Sequence, residues 1–205
     1  MILIVSAVAQ ELAWLGPRAG VETLVSGIGP VDAAARVAKA LAAHRYDVVI
    51  NAGVAGAFPG VAKVGDGVVV GEELYELHLE TGAALTLPPG NLLAERVPAD
   101  PQLIEAITAL GFPLVRGITV SRVTATDETA KRLSGRGAEV ETMEGFSVLR
   151  AAQLASVPAI EVRGISNIVG DRAASGWNFE AGVNGLRYVL NAILDLLHTM
   201  PSHAE

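Results

Sequence analysis

The sequence contains no cysteine, and this absence removes several functional classes at once. Disulfide bonds, thiol nucleophiles and thiolate metal sites all require that residue. A chain without cysteine fits a reducing compartment, so we expect a cytoplasmic protein. The 4 histidines show no metal-ligand spacing, and no His-Glu-x-x-His motif occurs. We therefore expect neither a metal ion nor an organic cofactor.

Basic stretches and apolar segments of membrane-spanning length are missing as well. The net charge is −7 and no run of Lys or Arg occurs, so nucleic-acid phosphates would find no basic surface. Charged residues or glycine interrupt every apolar run before it reaches the roughly 20 residues of a transmembrane helix. The N-terminal run 2–8 lacks the basic flank and cleavage pattern of a signal peptide, and it predicts a first strand. We expect no nucleic-acid partner and no membrane partner.

What the sequence does have is enough apolar material for one substantial core. Its 205 residues are 51% hydrophobic, and we predict one domain that spans residues 1–205. Short apolar runs, typical of buried parallel strands, alternate with amphipathic segments of helical period. This alternation of strands and helices predicts a three-layer α/β fold.

The pattern also predicts where the elements lie. The predicted strands cover residues 2–8, 21–25, 46–52, 68–74, 114–120, 138–141 and 159–163. The predicted helices cover residues 9–15, 31–43, 101–110, 127–133, 143–155 and 179–197. The segment 81–98 carries Gly, Pro and Asn without periodicity, so it is predicted to be a long loop. Asn178 is placed to cap the last helix.

Two polar islands interrupt the apolar pattern in the second half of the chain. One is Glu-Thr-Met-Glu-Gly-Phe at 141–146, and the other is Glu-Val-Arg-Gly-Ile-Ser-Asn at 161–167. A predicted helix and strand separate them, which brings both to the carboxyl edge of the sheet, where open α/β sheets bind ligands. Glu144 and Asn167 are expected to meet there. A carboxylate for hydroxyls and a carboxamide for a heterocycle suit a nucleoside.

Glu11 follows the first predicted strand and would reach the same edge. A lone Glu on a first helical turn is usually solvated or part of a cap, but Glu144 offers a second carboxylate at an equivalent place. Two carboxylates fit hydrolysis of a glycosidic-type bond, in which one activates water and the other holds the developing cationic sugar. Glu139 and Glu141 add to an acidic cluster whose usual interpretation is surface charge. Arg163, flanked by apolar residues, is expected to support a nearby carboxylate.

Two glycine-rich segments offer backbone groups to a ligand. The first, Gly-Ile-Gly at 27–29, lacks the third glycine of a dinucleotide fingerprint because Asp32 stands there. It is better interpreted as a turn that presents N–H groups at a helix start, or as a plain β–α turn. The second, 51–56, would let a ligand lie close to the backbone. Neither a P-loop nor a Gly-x-Ser-x-Gly serine motif occurs.

Together the motifs at 27–29, 51–56, 143–145 and 163–167 resemble the purine nucleoside phosphorylase/nucleosidase superfamily over nearly the whole chain. The resemblance implies a three-layer α/β/α fold with a mixed, mostly parallel central sheet, a small-molecule nucleoside substrate and a homo-oligomer, dimer or tetramer. The spacing is most similar to that of the methylthioadenosine/S-adenosylhomocysteine nucleosidases. That similarity implies that Glu11 activates water and that Glu144 binds the ribose hydroxyls. It places these residues around the substrate: Val54, Ala55, Gly56, Arg122, Val123 and Met143.

Asn167 departs from the adenosine-type nucleosidases, which carry an Asp that acts on purine N7. An Asn can donate its NH₂ to the N7/O6 side of a 6-oxopurine, but it cannot deliver a proton. Asn167 therefore favours hypoxanthine-like bases over adenine, because a site built for one hydrogen-bond pattern discriminates strongly against another. Val54 is a second departure, since a hydroxyl residue is usual there, and it removes the expectation of a polar side-chain contact.

With these departures, the segment 165–172 and Trp177 resemble the futalosine hydrolases. Those enzymes of the alternative menaquinone pathway cleave futalosine to hypoxanthine and dehypoxanthine futalosine. The resemblance implies Arg172 as a receiver for the carboxylate tail of the substrate.

Three alternatives stay open. The first is a methylthioadenosine/S-adenosylhomocysteine nucleosidase. The second is a phosphorylase, although no Arg falls near the turn at 27–30 to form its anion pocket. The third is a non-catalytic nucleoside-binding protein, against which the presence of both Glu11 and Glu144 argues, because binding alone needs no water-activating carboxylate.

Overall fold

Buried apolar runs form the strands of a mixed sheet in the computed structural model, which describes residues 1–79, 81, 83, 85, 87–88, 93–171, 173 and 176–199. The strands in these ranges are β1 (Ile2–Ser6), β2 (Val21–Val25), β3 (Val48–Ala57), β4 (Gly67–Tyr75), β5 (Arg96–Pro98), β6 (Leu114–Thr119), β7 (Val140–Thr142) and β8 (Ala159–Ile168). The α-helices are α1 (Pro30–Ala43), α2 (Pro101–Thr108), α3 (Asp127–Ser134), α4 (Gly145–Leu154) and α5 (Phe179–Thr199). A short 3-10 helix, Ala9–Leu12, follows β1.

The sheet is open at one side and closes on itself at the other. β2, β1 and β3 lie side by side as parallel neighbours, and β3 then pairs with both β7 and β8. β7 continues through β6 to β4, and β4 returns to β8, so β3, β8, β4, β6 and β7 form a ring. Most of these pairings are parallel, whereas β3–β7, β4–β5 and β4–β8 are antiparallel. The predicted mixed, mostly parallel sheet is confirmed.

Helices cover both faces of the sheet. Successive side chains of β1 point to opposite faces of the sheet. Ile4 packs on one face with residues of α2 and α5 such as Leu190. Leu3 packs on the other face against α1 and α4, where Val37 and Leu149 are buried. Each such buried side chain stabilises the fold by about 1.5–3 kcal/mol. The three layers that the sequence predicts are therefore present.

β3 and β8 are longer than predicted. The sequence pattern ends them at residues 52 and 163, but they remain paired in parallel as far as Ala57 and Ile168. Small and polar residues end the apolar pattern, whereas the backbone hydrogen bonds between the two strands continue. Ile165 stands opposite Ala55 and Asn167 stands opposite Gly56, so Ser166 is an extra residue that bulges from β8.

The predicted loop at 81–98 is wrong at its end. Residues Arg96–Pro98 form the short edge strand β5 on β4, and a proline is tolerated there because an edge strand has free N–H positions. The predicted cap of the last helix is present, because Asn178 Oδ1 accepts from Ala181 N of α5 at 3.0 Å. The Asp100 carboxylate caps α2 in the same way, since it accepts from the N–H groups of Gln102 and Leu103.

Candidate active site

A cavity of about 270 Å³ lies where β1, β3, β7 and β8 end. This is the carboxyl edge at which the sequence places a ligand. Apolar and small side chains make most of its wall, and a few polar groups converge in it. It is lined by Ala7, Val8, Glu11, Ile28, Val54, Ala55, Gly56, Val123, Glu141, Thr142, Met143, Glu144, Ser166, Asn167, Trp177 and Phe179. No lysine or arginine is among the described residues of this wall.

Glu11 is held at the floor of the cavity by backbone donors. Its Oε2 accepts from Ala7 N at 3.0 Å and from Val8 N at 3.2 Å, and its Oε1 accepts from Val54 N at 2.9 Å. The side chain is buried, and burial raises the pKa of Glu11 despite the opposing effect of the Arg163 guanidinium. A carboxylate whose pKa is raised toward neutrality is a stronger general base than an exposed one.

Glu144 faces the same cavity from the start of α4. Its Oε1 accepts from Gly29 N at 2.8 Å, and its Oε2 lies 3.9 Å from Arg163 Nη2. Gly29 has a φ of 95°, a conformation that glycine adopts without strain. The turn at 27–29 does present an N–H group at a helix start, as expected, but it offers that group to a protein carboxylate.

Arg163 lies beneath the cavity and supports both carboxylates. Its Nε donates to Glu161 Oε1 at 2.7 Å, and its Nη1 donates to the carbonyl oxygen of Val54 at 3.3 Å. Burial lowers the pKa of Arg163, but the surrounding carboxylates, Glu161 first, raise it by more. The guanidinium therefore stays charged and holds the cavity floor together, as its apolar flanks in the sequence predict.

Gly53 has no side chain, and this allows Arg163 and Glu11 to lie close to each other. A Cβ at Gly53 would lie 2.5 Å from Arg163 Nη1 and 2.7 Å from Glu11 Oε1. Gly53 thus lets Glu11 and its cationic neighbour Arg163 approach each other, which gives the glycine-rich segment 51–56 a structural role besides ligand access.

Asn167 lines the cavity from β8 and takes part in a chain of hydrogen bonds. Trp177 Nε1 donates to Ser166 Oγ at 3.1 Å, and Ser166 Oγ lies 3.0 Å from Asn167 Oδ1. Asn167 Nδ2 lies 3.4 Å from the carbonyl oxygen of Ile168 and above Gly56, where a Cβ would be 2.9 Å away. The reversed amide would set two oxygens against each other at Ile168, so the NH₂ group is the one turned away from Ser166.

The other residues predicted for the site divide into three groups. Val54, Ala55, Gly56, Val123 and Met143 line the cavity. Arg122 is exposed and is not part of the cavity wall. Arg172 lies outside the described residues.

Some wall residues escaped prediction or were misjudged. Phe179 lines the cavity, although no sequence signal distinguishes it from a core residue, and Thr142 lines it from within the polar island at 141–146, where it was given no role. Glu141 is buried and accepts from the Thr124 backbone N–H at 3.1 Å, so its interpretation as a surface charge is wrong. Glu161, which binds Arg163, carried a usable signal, since a charged residue in a buried strand needs a partner.

Neither a metal site nor a membrane span is found in the described part of the chain. No group of three or more His, Asp or Glu side chains there is arranged to hold a metal ion. No described helix is both long and apolar enough to cross a bilayer.

The chain is similar to several known proteins. Futalosine hydrolase of Thermus thermophilus is 34% identical over 192 residues, which cover 89% of this chain and 85% of the relative. 5′-Methylthioadenosine/S-adenosylhomocysteine nucleosidase of Colwellia psychrerythraea is 31% identical over 82% of this chain and 76% of the relative. The solved structure of the corresponding nucleosidase of S. pneumoniae, 22% identical, superimposes with a TM-score of 0.80 over 96% of this chain and 99% of that one. The last similarity establishes the fold.

The profile of the Phosphorylase superfamily matches residues 19–197, which is most of the sequence. Fold, cavity position and sequence similarity thus lead to the same conclusion. The chain belongs to the phosphorylase superfamily.

Proposed function

We propose that the chain hydrolyses the N-glycosidic bond of a 6-oxopurine nucleoside, with futalosine as the substrate and hypoxanthine and dehypoxanthine futalosine as the products. The similarity to futalosine hydrolases of T. thermophilus and Streptomyces coelicolor, each 34% identical, supports this assignment. The observation that carries the choice of base is the orientation of the Asn167 amide.

The Asn167 amide presents a donor to the base. An Asn with both groups free can pair with the N6/N7 edge of adenine through its oxygen and its NH₂. Here the oxygen is turned toward the Ser166 hydroxyl and one N–H lies toward the Ile168 carbonyl oxygen, which leaves the other N–H for the ligand. The N7/O6 edge of a 6-oxopurine offers only acceptors, whereas adenine offers a donor at N6. The geometry therefore favours hypoxanthine.

Glu144 and Glu11 have different roles in the proposed reaction. Glu144 binds the ribose hydroxyls and stabilises the sugar as positive charge develops at C1′. Glu11 accepts hydrogen bonds from three backbone N–H groups, and its carboxylate can accept one more, from a water molecule directed at C1′. Glu11 removes a proton from that water as the bond to the base breaks. The leaving base is stabilised by the Asn167 NH₂, and solvent supplies its proton.

Water, and not phosphate, is proposed as the attacking group. A phosphorylase needs an anion pocket, and the Gly29 N–H at the turn already donates to Glu144. The described cavity wall also offers no cationic side chain to an anion. Both observations support hydrolysis over phosphorolysis.

Several finer statements belong to the same proposal. A hydrolase of futalosine would act in menaquinone biosynthesis, in the cytoplasm, as a single nucleosidase domain and as a homo-oligomer, either a dimer or a tetramer. Arg172 is proposed to receive the carboxylate tail of the substrate. Arg122 and Val123 are proposed as neighbours of the base, with Val123 the better supported because it lines the cavity.

The deciding experiment measures base release from futalosine, aminofutalosine, inosine and methylthioadenosine in phosphate-free buffer. We expect hypoxanthine and a free sugar product from futalosine, with the highest kcat/KM of the panel. Futalosine and aminofutalosine share the same tail, so their ratio isolates recognition of the base. A preference for methylthioadenosine would favour the nucleosidase function named for the C. psychrerythraea relative, and strict dependence on phosphate would favour a phosphorylase.

A further inference from the structure

A second group of acidic side chains lies in the core, behind the cavity wall. Glu73 on β4 is fully buried and does not line the cavity. Its Oε2 accepts from Thr119 Oγ1 at 2.7 Å, and its Oε1 accepts from Thr142 Oγ1 at 3.0 Å. The mechanism above assigns no task to this carboxyl group.

Glu161 on β8 is equally buried, and only one of its oxygens is satisfied. Oε1 accepts from Arg163 Nε at 2.7 Å. Oε2 has no hydrogen bond of normal geometry among the described residues, although the side chain of Asn51 donates toward Glu161. A buried carboxylate oxygen that is short of donors is costly, so a further donor near it would be favourable.

Glu73 can supply such a donor if its carboxyl group is protonated. A Cβ placed on Gly145 would lie 2.4 Å from Glu73 Oε1 and 2.5 Å from Glu161 Oε2, so both oxygens lie close to the same point beside this glycine. A Cβ on Gly117 would lie 1.9 Å from the same Glu73 oxygen. Two glycines on different elements thus keep this space clear for the two carboxyl groups.

Two ionised carboxylates cannot occupy one dry site, and the surroundings decide which one is protonated. Burial, followed by the charge of Glu161, raises the pKa of Glu73 well above its ordinary value. Burial also raises the pKa of Glu161, but by less than that of Glu73, because the Arg163 guanidinium opposes the effect. The proton therefore belongs to Glu73 and the charge to Glu161.

We propose that Glu73 and Glu161 are a positioning pair with one shared proton, carried on Oε1 of Glu73 and donated to Oε2 of Glu161. The pair fixes the guanidinium of Arg163, which in turn holds Glu11 and Glu144 in place. Among the described residues, the charged groups that act on the pair are Arg163, on both members, and Glu144, on Glu161. Asn51, opposite Glu161 in the β3–β8 register, is a neutral amide that donates toward it. The catalytic consequence rests on the function proposed above, whereas the shared proton does not.

The test compares Glu73→Gln with Glu161→Gln in the full chain. Gln at 73 is a neutral isostere of a protonated Glu, and its NH₂ can donate to Glu161 Oε2. We expect kcat within about threefold of the unsubstituted protein. Gln at 161 removes the charge that orients Arg163, and misplacement of the two carboxylates can lower kcat by about 100-fold with a smaller change in KM.

Two readouts need no substrate. The infrared spectrum should contain a protonated-carboxyl band that disappears in Glu73→Gln. Because Glu73 ionises in the unfolded chain near its ordinary pKa of 4.5, keeping its proton in the fold lowers stability above that pH. Glu73→Gln should therefore have a higher Tm than the parent at neutral pH, and the difference should shrink as the pH falls toward that value.

The outcomes separate this proposal from the proposed function. A protonated-carboxyl band that survives in Glu73→Gln, or a Tm below that of the parent at neutral pH, would overturn the pair. So would a loss of kcat in Glu73→Gln as large as that in Glu161→Gln. If Glu161→Gln fails to fold, the spectrum and the pH dependence of Tm still decide. Failure of the substrate panel would leave both of those readouts unaffected.

Discussion

The backbone N–H of Gly29 donates to Oε1 of Glu144, a contact 2.8 Å long that joins residues 115 positions apart in the sequence. It ties the start of α1 to the start of α4, so the carboxylate proposed to bind the sugar is oriented by a distant turn. It also uses the N–H group that an incoming phosphate would need. One hydrogen bond therefore bears on both the position of the sugar and the choice of water as the attacking group.

Replacement of Glu11 by Gln should remove turnover while largely preserving binding. An amide cannot take a proton from water, and general-base catalysis contributes about 10²–10⁴-fold to rate. We expect kcat for base release to fall by that factor, with a smaller change in the Kd of a non-hydrolysed nucleoside measured by calorimetry. Glu105→Gln, the same change on the exposed side of α2, is the matched control and should retain full activity. Full activity in Glu11→Gln would remove this residue from the mechanism.

The pH dependence of the reaction should reveal the buried environment of Glu11. Burial raises the pKa of this group above its ordinary 4.5, and protonation removes the base. Activity should therefore be lost as the pH falls through a value higher than that of a free Glu. A profile of kcat/KM against pH, which reports the free enzyme, measures this value. An acid limb at or below the ordinary pKa, in protein shown by circular dichroism to be folded, would contradict the assignment.

Asn167→Asp should move base preference from hypoxanthine toward adenine. An Asp can accept from the 6-amino group, and in its protonated form it can donate to N7. We expect the ratio of kcat/KM for futalosine over aminofutalosine to fall by about 100-fold, in line with the discrimination that hydrogen-bonding sites achieve. Asn184→Asp, the same change at an exposed position of α5, should leave the ratio unchanged. An unchanged ratio in Asn167→Asp would mean that another residue determines which base is recognised.

Gly53→Ala should damage the cavity floor. The added Cβ would lie 2.5 Å from Arg163 Nη1 and 2.7 Å from Glu11 Oε1, so at least one of these charged groups must move. Overpacking of this kind costs about 1–3 kcal/mol of unfolding free energy, and displacement of catalytic groups can cost about 100-fold in rate.

Gly16→Ala is the matched control for Gly53→Ala, because a Cβ at Gly16 meets nothing within 4 Å. Denaturant unfolding and kcat should both be unchanged in the control. Equal behaviour of the two variants would show that the close approach at Gly53 is not required.

The sequence predicts the layers and the ligand edge because both follow from short-range patterns. The apolar period identifies the strands and helices, and the rule for strand ends directs Glu11, Glu144 and Asn167 to one edge, where the structure brings them together. It does not predict that β3 and β8 continue through the small and polar residues of the site. Their extension depends on pairing between strands about 110 residues apart, for which no local pattern exists.

Because local patterns do not predict long-range strand pairing, the sequence also does not predict that Glu73 and Glu161 meet beneath the site. Glu73 and Glu161 lie 88 positions apart, on strands that meet only because the sheet closes into a ring. Glu73 stands beside Glu72, and Glu161 stands two residues before Arg163, so neither local context indicates that the two carboxyl groups meet. The hydrogen bonds that Thr119 and Thr142 give to Glu73 likewise arise from three separate strands. Contacts of this kind become visible only when the topology is known.

The bulge at Ser166 has an evolutionary consequence. Up to Ile165, β8 keeps strict register with β3 and carries Arg163, which supports the cavity floor; the extra residue Ser166 then shifts the register, and Asn167 pairs with β3 opposite Gly56. The residue proposed to bind the base therefore lies on the same strand as Arg163 but beyond the bulge. Exchange of Asn for Asp at this position needs one nucleotide substitution and leaves the other residues of the strand unchanged. Under the proposed mechanism, a lineage with this architecture could change both the nucleobase that residue 167 binds and the source of the leaving base's proton, while Glu11, Glu144 and Arg163 keep their positions.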